Sequence, residues 1–134
     1  MTTTGVAQKW LIWVDDQPKT TEMARDELKK NGIQAEAVES TKQVEDLFAN
    51  PPKDKKFDLL VSDMRRGLNK REGLDFFKKI KGQSSYPPRL IFAPKSLLQP
   101  VENEIQELQQ SDKQFLGAFS AREPFFAKIF EVMR

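Results

Sequence analysis

Apolar residues gather in short continuous runs along the chain, and these runs predict buried strands. The clearest lie at residues 9–14 (KWLIWV), 57–62 (FDLLVS) and 89–93 (RLIFA). They are rich in β-branched and aromatic side chains, which is typical of strands buried on both faces of a sheet. A shorter run at 115–120 (FLGAFS) predicts a last strand, and the alternating segment 33–38 (IQAEAV) predicts an outer strand.

Between these strands, apolar residues recur at helical spacing. The predicted helices cover residues 18–31, 40–49, 73–81, 100–111 and 123–133. In the first helix the spacing places Met23, Ala24 and Leu28 on the inward face. In the last helix it places Phe126 inward, and we expect Phe125 to be the exposed member of the pair.

The regular alternation of strands and helices predicts the fold class. Parallel strands with right-handed crossovers place helices on both faces of one sheet. The chain is therefore expected to be an α/β protein with a doubly wound (βα)5 sheet. We assign residues 9–134 to this domain and interpret residues 1–8, which are small and polar, as a flexible tail.

Composition limits the chemistry that the chain can perform. Its 134 residues include no cysteine and no histidine. Disulfides, thiol catalysis, a histidine base and a phosphohistidine on this chain are thereby excluded. With 22 basic and 20 acidic residues the charge is nearly balanced, which gives nucleic-acid binding little support. No apolar run is long enough for a membrane span and no secretory signal is apparent, so we expect a cytoplasmic protein.

Carboxylates stand at the ends of two predicted buried strands. Asp15 and Asp16 follow the first strand and Asp63 follows the third. Ligands of doubly wound sheets bind beyond the carboxyl ends of the strands, so the three side chains meet there if those strands are neighbours. Repulsion between close carboxylates is relieved by a proton or by a hard cation such as Mg²⁺. The pattern favours phosphoryl chemistry with a carboxylate nucleophile, although Asp16 could instead be an ordinary helix N-cap before Pro18.

Several segments resemble the receiver domains of two-component response regulators. They are WVDDQP after the first strand, DLLVSDM ending in Asp63-Met64, the Gly73-Leu74 helix start, and GAFSAREPF near the end. The resemblance covers about residues 9–133. It implies the flavodoxin-like five-stranded sheet in the order 2-1-3-4-5. It also implies a signalling domain that accepts a phosphoryl group from a histidine kinase or phosphotransfer protein and acts on a downstream effector.

The resemblance assigns roles to individual residues. Asp63 matches the phosphorylated aspartate, and Asp15 and Asp16 match the metal-binding pair for Mg²⁺. The backbone carbonyl two residues beyond the phosphoacceptor, here that of Arg65, is implied as a further metal ligand. Such a domain is not an enzyme acting on other substrates, because it catalyses at most its own phosphorylation and dephosphorylation.

Other positions depart from the family pattern. Ala93 stands where the family has Thr or Ser, and alanine cannot donate a hydrogen bond to a phosphoryl oxygen. Glu123 stands where the family has Lys, and its charge opposes a phosphate. Arg122 beside it, or Ser96 three residues beyond Ala93, could supply a replacement contact. These departures predict an atypical receiver, or alternatively a phosphorylation-independent module that binds other proteins.

The loop after Asp63 is long and rich in cations, namely Arg65, Arg66, Lys70 and Arg71. These side chains could bind an acidic partner. We favour the simpler interpretation that the loop is solvated and offsets the acidic cluster. No output domain follows the last predicted helix, so the chain is expected to be a free-standing receiver or one taken from a longer protein.

Overall fold

The computed structural model describes residues 9–134, so the predicted tail at residues 1–8 lies outside the described residues. The strands are β1 (Lys9–Val14), β2 (Ile33–Val38), β3 (Phe57–Ser62), β4 (Arg89–Phe92) and β5 (Phe115–Phe119). They pair in parallel in the order β2-β1-β3-β4-β5. This topology confirms the predicted doubly wound, flavodoxin-like sheet, with the alternating segment β2 at its edge.

One helix follows each strand, except that two helices follow β4. Their bounds are α1 (Glu22–Lys30), α2 (Thr41–Ala49), α3 (Glu72–Lys79), α4 (Lys95–Leu98), α5 (Glu102–Ser111) and α6 (Arg122–Met133). Short 3₁₀ turns precede α1 at Pro18–Thr21 and α5 at Gln99–Val101. The sequence predicted one helix from Pro100, and it missed α4 because four residues are too few to show a helical period. None of the helices between residues 9 and 134 has the length and apolarity of a bilayer-spanning segment.

Alternate residues of β1 divide the core into two layers. Ile12 and Val14 face the layer that includes residues of α2, α3 and α5. Leu11 and Trp13 face the layer that includes residues of α1 and α6. All four side chains are buried, so both faces of the central strand contribute hydrophobic stabilisation. This two-sided burial explains why the segment is a continuous apolar run.

Two predictions about helix faces are wrong. Phe125 is fully buried, stacked on Phe92 with ring centroids 4.0 Å apart and edge-on to Trp13 at 5.2 Å. Phe126 is buried as well, because the buried face of α6 is wide enough to include both residues. Met23 is 79% exposed. The 3₁₀ turn before α1 has about three residues per turn and so rotates α1 relative to the helix predicted from Pro18.

A buried ion pair fixes the start of β4. Arg89 Nη2 lies 2.7 Å from Asp112 Oδ2, and both side chains are almost fully buried. The same guanidinium donates to the carbonyls of Ile80 and Pro87 at 3.2 and 3.1 Å. These bonds compensate the cost of burying the charges. They also join the end of α5 and the loop after α3 to the strand whose other end borders the candidate site.

Candidate functional site

The carboxyl ends of β1 and β3 lie side by side. Val14 is in register with Ser62, and the Asp63 N–H donates to the Val14 carbonyl at 3.1 Å. One carboxylate oxygen from each of Asp15, Asp16 and Asp63 lies within 4.8 Å of the others. The structure therefore brings the three predicted carboxylates together at this edge of the sheet.

Local hydrogen bonds orient the acidic pair. Asp15 accepts from the Gln17 N–H at 2.7 Å, through Oδ1, and from the Thr20 hydroxyl at 3.4 Å, through Oδ2. Asp16 Oδ2 accepts from the Gly67 N–H at 2.8 Å, across the site in the loop after β3. The alternative role of Asp16 as a helix N-cap is wrong. Its side chain instead ties the loop after β1 to the loop after β3.

A glycine allows α3 to begin against the end of β3. The Gly73 N–H donates to the Met64 carbonyl at 2.9 Å, and the Ser62 hydroxyl donates to the Asp63 carbonyl at 2.8 Å. A β-carbon on Gly73 would lie 1.9 Å from the Asp63 carbonyl oxygen. Only glycine fits this approach, so the Gly73-Leu74 motif has a physical role in placing Asp63.

Burial and charge both act on the acidic cluster. Burial raises the pKa of Asp63 to about 7, and the neighbouring charges of Asp15 and Asp16 act in the same direction, whereas Arg66 opposes them. Burial also raises the pKa of Asp15, although the Gln17 N–H partly opposes this. The cluster therefore favours a bound proton or a bound cation at neutral pH.

Arg66 is the residue of this site that the sequence did not reveal. Its Nε donates to Asp63 Oδ1 at 3.0 Å, and Nη2 donates to the Ser62 hydroxyl at 2.5 Å. Nη1 donates to the Thr41 hydroxyl and lies 3.5 Å from Glu72 Oε2. The Arg66 side chain is only 8% exposed. The interpretation of a solvated loop is wrong for Arg66, because its partners come from the end of β3 and from the starts of two helices.

The other loop cations behave differently. Arg65 is exposed, and its side chain donates to the Gly67 carbonyl at 2.9 Å. Lys70 is exposed as well, so for these two residues the loop is solvated as predicted. Arg71 forms an ion pair with Glu104 at 2.6 Å and so joins the start of α3 to α5. The loop is therefore held at both ends while its tip faces solvent.

An open cleft of about 570 Å³ lies beside the carboxylates. Its lining includes Asp15, Asp16 and Asp63 on the acidic side, and Arg65 and Ala93 among the others. Ala93 is thus at the site, as the resemblance implied, and it offers no hydroxyl to the cleft.

The proposed replacements for the missing family residues lie elsewhere. In the part of the chain that the structure describes, Arg122, Glu123 and Ser96 do not line the cleft. Arg122 Nη2 instead donates to Glu27 at 2.8 Å, and its guanidinium stacks over the Phe126 ring at 4.9 Å. The hypothesis that Arg122 or Ser96 supplies the missing contact finds no support in this arrangement.

The donor set fits a hard divalent cation. Three carboxylates converge beside an open cleft, and Mg²⁺ prefers oxygen ligands and keeps several of its waters. The Asp15, Asp16 and Asp63 side chains would hold such an ion. Arg65 lines the same cleft, and the role of its carbonyl as a ligand stays a prediction.

We expect Mg²⁺ to bind weakly at this site and to alter the fluorescence of Trp13. This ring is buried two residues before Asp15. A change in charge at the strand end therefore changes the electric field at the indole. A titration of the wild type should saturate, and Asp16→Asn should weaken binding roughly tenfold or more through the loss of one charged ligand. Asp58→Asn, near the other end of β3, is the matched control. An unchanged titration in Asp16→Asn would count against the site.

Comparison with known proteins agrees with the fold. The family model of the response regulator receiver domain matches residues 11–110. No curated protein sequence is significantly similar to the chain.

Several solved structures share the fold. A response regulator receiver protein from Burkholderia phymatum is 15% identical, with a TM-score of 0.71, covering 94% of this chain and 95% of that one. The response regulator TrrA from Thermotoga maritima, in complex with Mg²⁺-BeF, is 16% identical, with a TM-score of 0.68 and coverages of 93% and 99%. A chemotaxis response regulator of Vibrio cholerae is 18% identical, with a TM-score of 0.68 and coverages of 94% and 99%.

These identities are low, so the structural likeness supports the fold alone. The family model, by contrast, spans residues 11–110 of 134. Because the matched segment makes up most of the chain, the chain belongs to the response regulator receiver domain family.

Proposed function

We propose that this receiver accepts a phosphoryl group on Asp63 from the phosphohistidine of a histidine kinase or phosphotransfer protein. The observation that carries the proposal is the convergence of Asp15, Asp16 and Asp63 beside an open cleft. In this proposal Mg²⁺ is held by the three carboxylates and by the Arg65 carbonyl. The modified domain then acts on a downstream effector protein.

The transfer needs one carboxylate oxygen of Asp63 as the nucleophile. That oxygen forms a bond to phosphorus while the bond between phosphorus and the donor imidazole nitrogen breaks, and the imidazole keeps the electron pair. Arg66 Nε holds Asp63 Oδ1 at 3.0 Å, which favours the ionised nucleophile and restrains its orientation. When bound, Mg²⁺ offsets the negative charge of the carboxylate and of the incoming phosphoryl group.

A structural neighbour supports the chemistry. The Thermotoga maritima regulator TrrA was crystallised with Mg²⁺-BeF, and a beryllium fluoride group resembles a phosphoryl group in shape and charge. The present chain offers acidic side chains at the carboxyl ends of the equivalent sheet. We therefore propose the same kind of ligand for this chain.

We propose no further chemical activity for this chain. The chain has no histidine, so it cannot pass the phosphoryl group to a histidine of its own. We propose no enzymatic activity on other substrates, no binding of nucleic acid through this domain and no membrane partner. We propose that this chain is located in the cytoplasm, where the partner kinase would phosphorylate it.

A second candidate function is a docking module that works without phosphorylation. Ala93 offers no hydroxyl at the cleft, and Arg122 is bonded to Glu27 instead of facing Asp63. Both contacts that usually read out the phosphoryl group are thus missing from the described residues at the β4 and β5 ends. A domain of this kind would present its surface to partners in one unmodified state.

Incubation with acetyl phosphate and Mg²⁺ distinguishes the two functions. We expect intact-protein mass spectrometry to show a partial gain of one phosphoryl group, because the nucleophile and metal ligands are present while stabilising contacts are missing. Asp63→Asn should abolish the gain, and Asp58→Asn, in the strand that precedes Asp63, should keep it. A gain that persists in Asp63→Asn would refute the assignment, and no gain in the wild type would favour the docking module.

A further inference from the structure

A cluster of four residues, none of which lines the cleft, is joined to the Asp63 carboxylate through Arg66. Arg66 contacts Asp63, and it also contacts Ser62, Thr41 and Glu72. Thr41 further donates to Glu72 Oε2 at 2.8 Å. We call Arg66 with its partners Ser62, Thr41 and Glu72 the Arg66 clamp.

The clamp is fixed in place. All three guanidinium nitrogens of Arg66 have oxygen partners, and the side chain is 8% exposed. Arg66 itself does not line the cleft. These contacts, of which those to Asp63 and Glu72 join opposite charges, hold the buried arginine in place, so a change in the charge of Asp63 changes the balance of contacts that sets its position.

The partners in the clamp belong to helix starts. Thr41 is the first residue of α2 and Glu72 is the first residue of α3. Towards β4 and β5, Ala93 has no side-chain hydrogen-bond donor, and Arg122 is held by Glu27. Asp63 is thus connected by side chains to α2 and α3, whereas the described side chains provide no such connection to β4 and β5.

We infer that Arg66 is a positioning residue that couples the phosphorylation state of Asp63 to the starts of α2 and α3, through Thr41 and Glu72. This inference rests on the proposed function, and it names the surface that responds.

Phosphorylation changes what Arg66 contacts. The ionised carboxylate becomes a neutral acyl group, and about two negative charges appear on the phosphoryl oxygens. The bond from Arg66 Nε to Asp63 therefore loses its charge assistance, which roughly halves its strength. The guanidinium then shifts towards the phosphoryl oxygens or towards Glu72. Either shift alters the Thr41 hydrogen bond, so the two states differ in contacts at α2 and α3, which a conformational response requires.

Amide hydrogen exchange with and without Mg²⁺ and beryllofluoride tests this coupling. We expect exchange to change by about fivefold in residues 41–49 and 66–79, as the loss of charge assistance implies. The change should be smaller in residues 95–101 and 119–126. A largest change at 95–101 and 119–126 would overturn the inference.

Variants distinguish a role of the Arg66 clamp in coupling from a role in the stability of the fold. Arg66→Gln removes the charge, and Thr41→Val removes the hydroxyl at nearly constant shape. Thr41→Val should bind beryllofluoride like the wild type, seen by native mass spectrometry. Arg66→Gln should bind it more weakly, because Arg66 also orients Asp63. In the bound form of each variant, the change in residues 41–49 should be lost. Lys70→Gln removes an exposed cation from the same loop and should behave as the wild type. An intact response of α2 in both Arg66→Gln and Thr41→Val would refute the coupling.

The experiment distinguishes a failure of the coupling from a failure of the proposed function. If the wild type does not bind beryllofluoride and gains no mass from acetyl phosphate, the proposed function fails and the coupling fails with it. If beryllofluoride binds and α2 and α3 do not respond, the coupling alone fails. Binding with a response in α2 that depends on Arg66 supports both.

Discussion

In metal-free buffer, the free energy of unfolding is expected to fall by about 2–3 kcal/mol between pH 5 and pH 8 because of Asp63. Its pKa is raised to about 7 in the folded protein, from an ordinary value of 3.8, mainly by burial. Between these two values the folded state binds more protons than the unfolded state, so stability is lost as the pH rises. Asp15, whose pKa is also raised, acts in the same direction.

Urea unfolding in EDTA across this pH range measures the effect. Asp63→Asn cannot ionise, so its profile should be flatter and the variant should be more stable than the wild type at pH 8. Asp58→Asn is the matched control and should keep the wild-type slope. Saturating Mg²⁺ should restore stability at pH 8, because it binds the ionised carboxylates. Parallel profiles for the wild type and Asp63→Asn would show that Asp63 is not the titrating group.

The acidic cluster could be predicted because its members follow apolar strands directly. Asp15, Asp16 and Asp63 each stand where a buried run ends, and parallel strands bring such positions to one edge. The apolar runs do not show which strands are neighbours in the sheet. The strand order is predicted only by the resemblance to receiver domains.

Arg66 could not be found in this way. A loop has no period that tells which side chains point inwards, and Arg66 and Lys70 look alike in the sequence. The difference depends on Thr41, 25 residues earlier, and on Glu72 at the start of α3. Only the packing of α2 beside α3 turns this arginine into a buried partner of Asp63.

The same limit applies to the core. Apolar spacing showed that α6 has a buried face but not how wide that face is, so Phe125 was assigned to solvent. Its stacking on Phe92 depends on the position of β4. Likewise, the run at residues 89–93 gave no sign that Arg89 pairs with Asp112, 23 residues later. Contacts between distant segments were the part that the local pattern missed.

Gly73→Ala should destabilise the protein by about 3 kcal/mol and should also weaken Mg²⁺ binding and phosphoryl transfer. The added β-carbon would lie 1.9 Å from the Asp63 carbonyl oxygen and 3.0 Å from its carbonyl carbon. Both are backbone atoms, so the clash cannot be relieved by a side-chain rotation. The start of α3 and the end of β3 must separate, and Asp63 moves with the strand.

A second glycine provides the matched control. Gly82 has a φ of +75°, and no atom lies within 4 Å of the position that a β-carbon would take, so Gly82→Ala should cost about 1 kcal/mol through backbone strain alone. Because Gly82 follows α3 at its far end, this variant should keep wild-type Mg²⁺ binding. Urea unfolding and Trp13 titration of both variants separate the two effects. If Gly73→Ala lost stability but bound Mg²⁺ like Gly82→Ala, the close approach of Gly73 would support the fold without positioning Asp63.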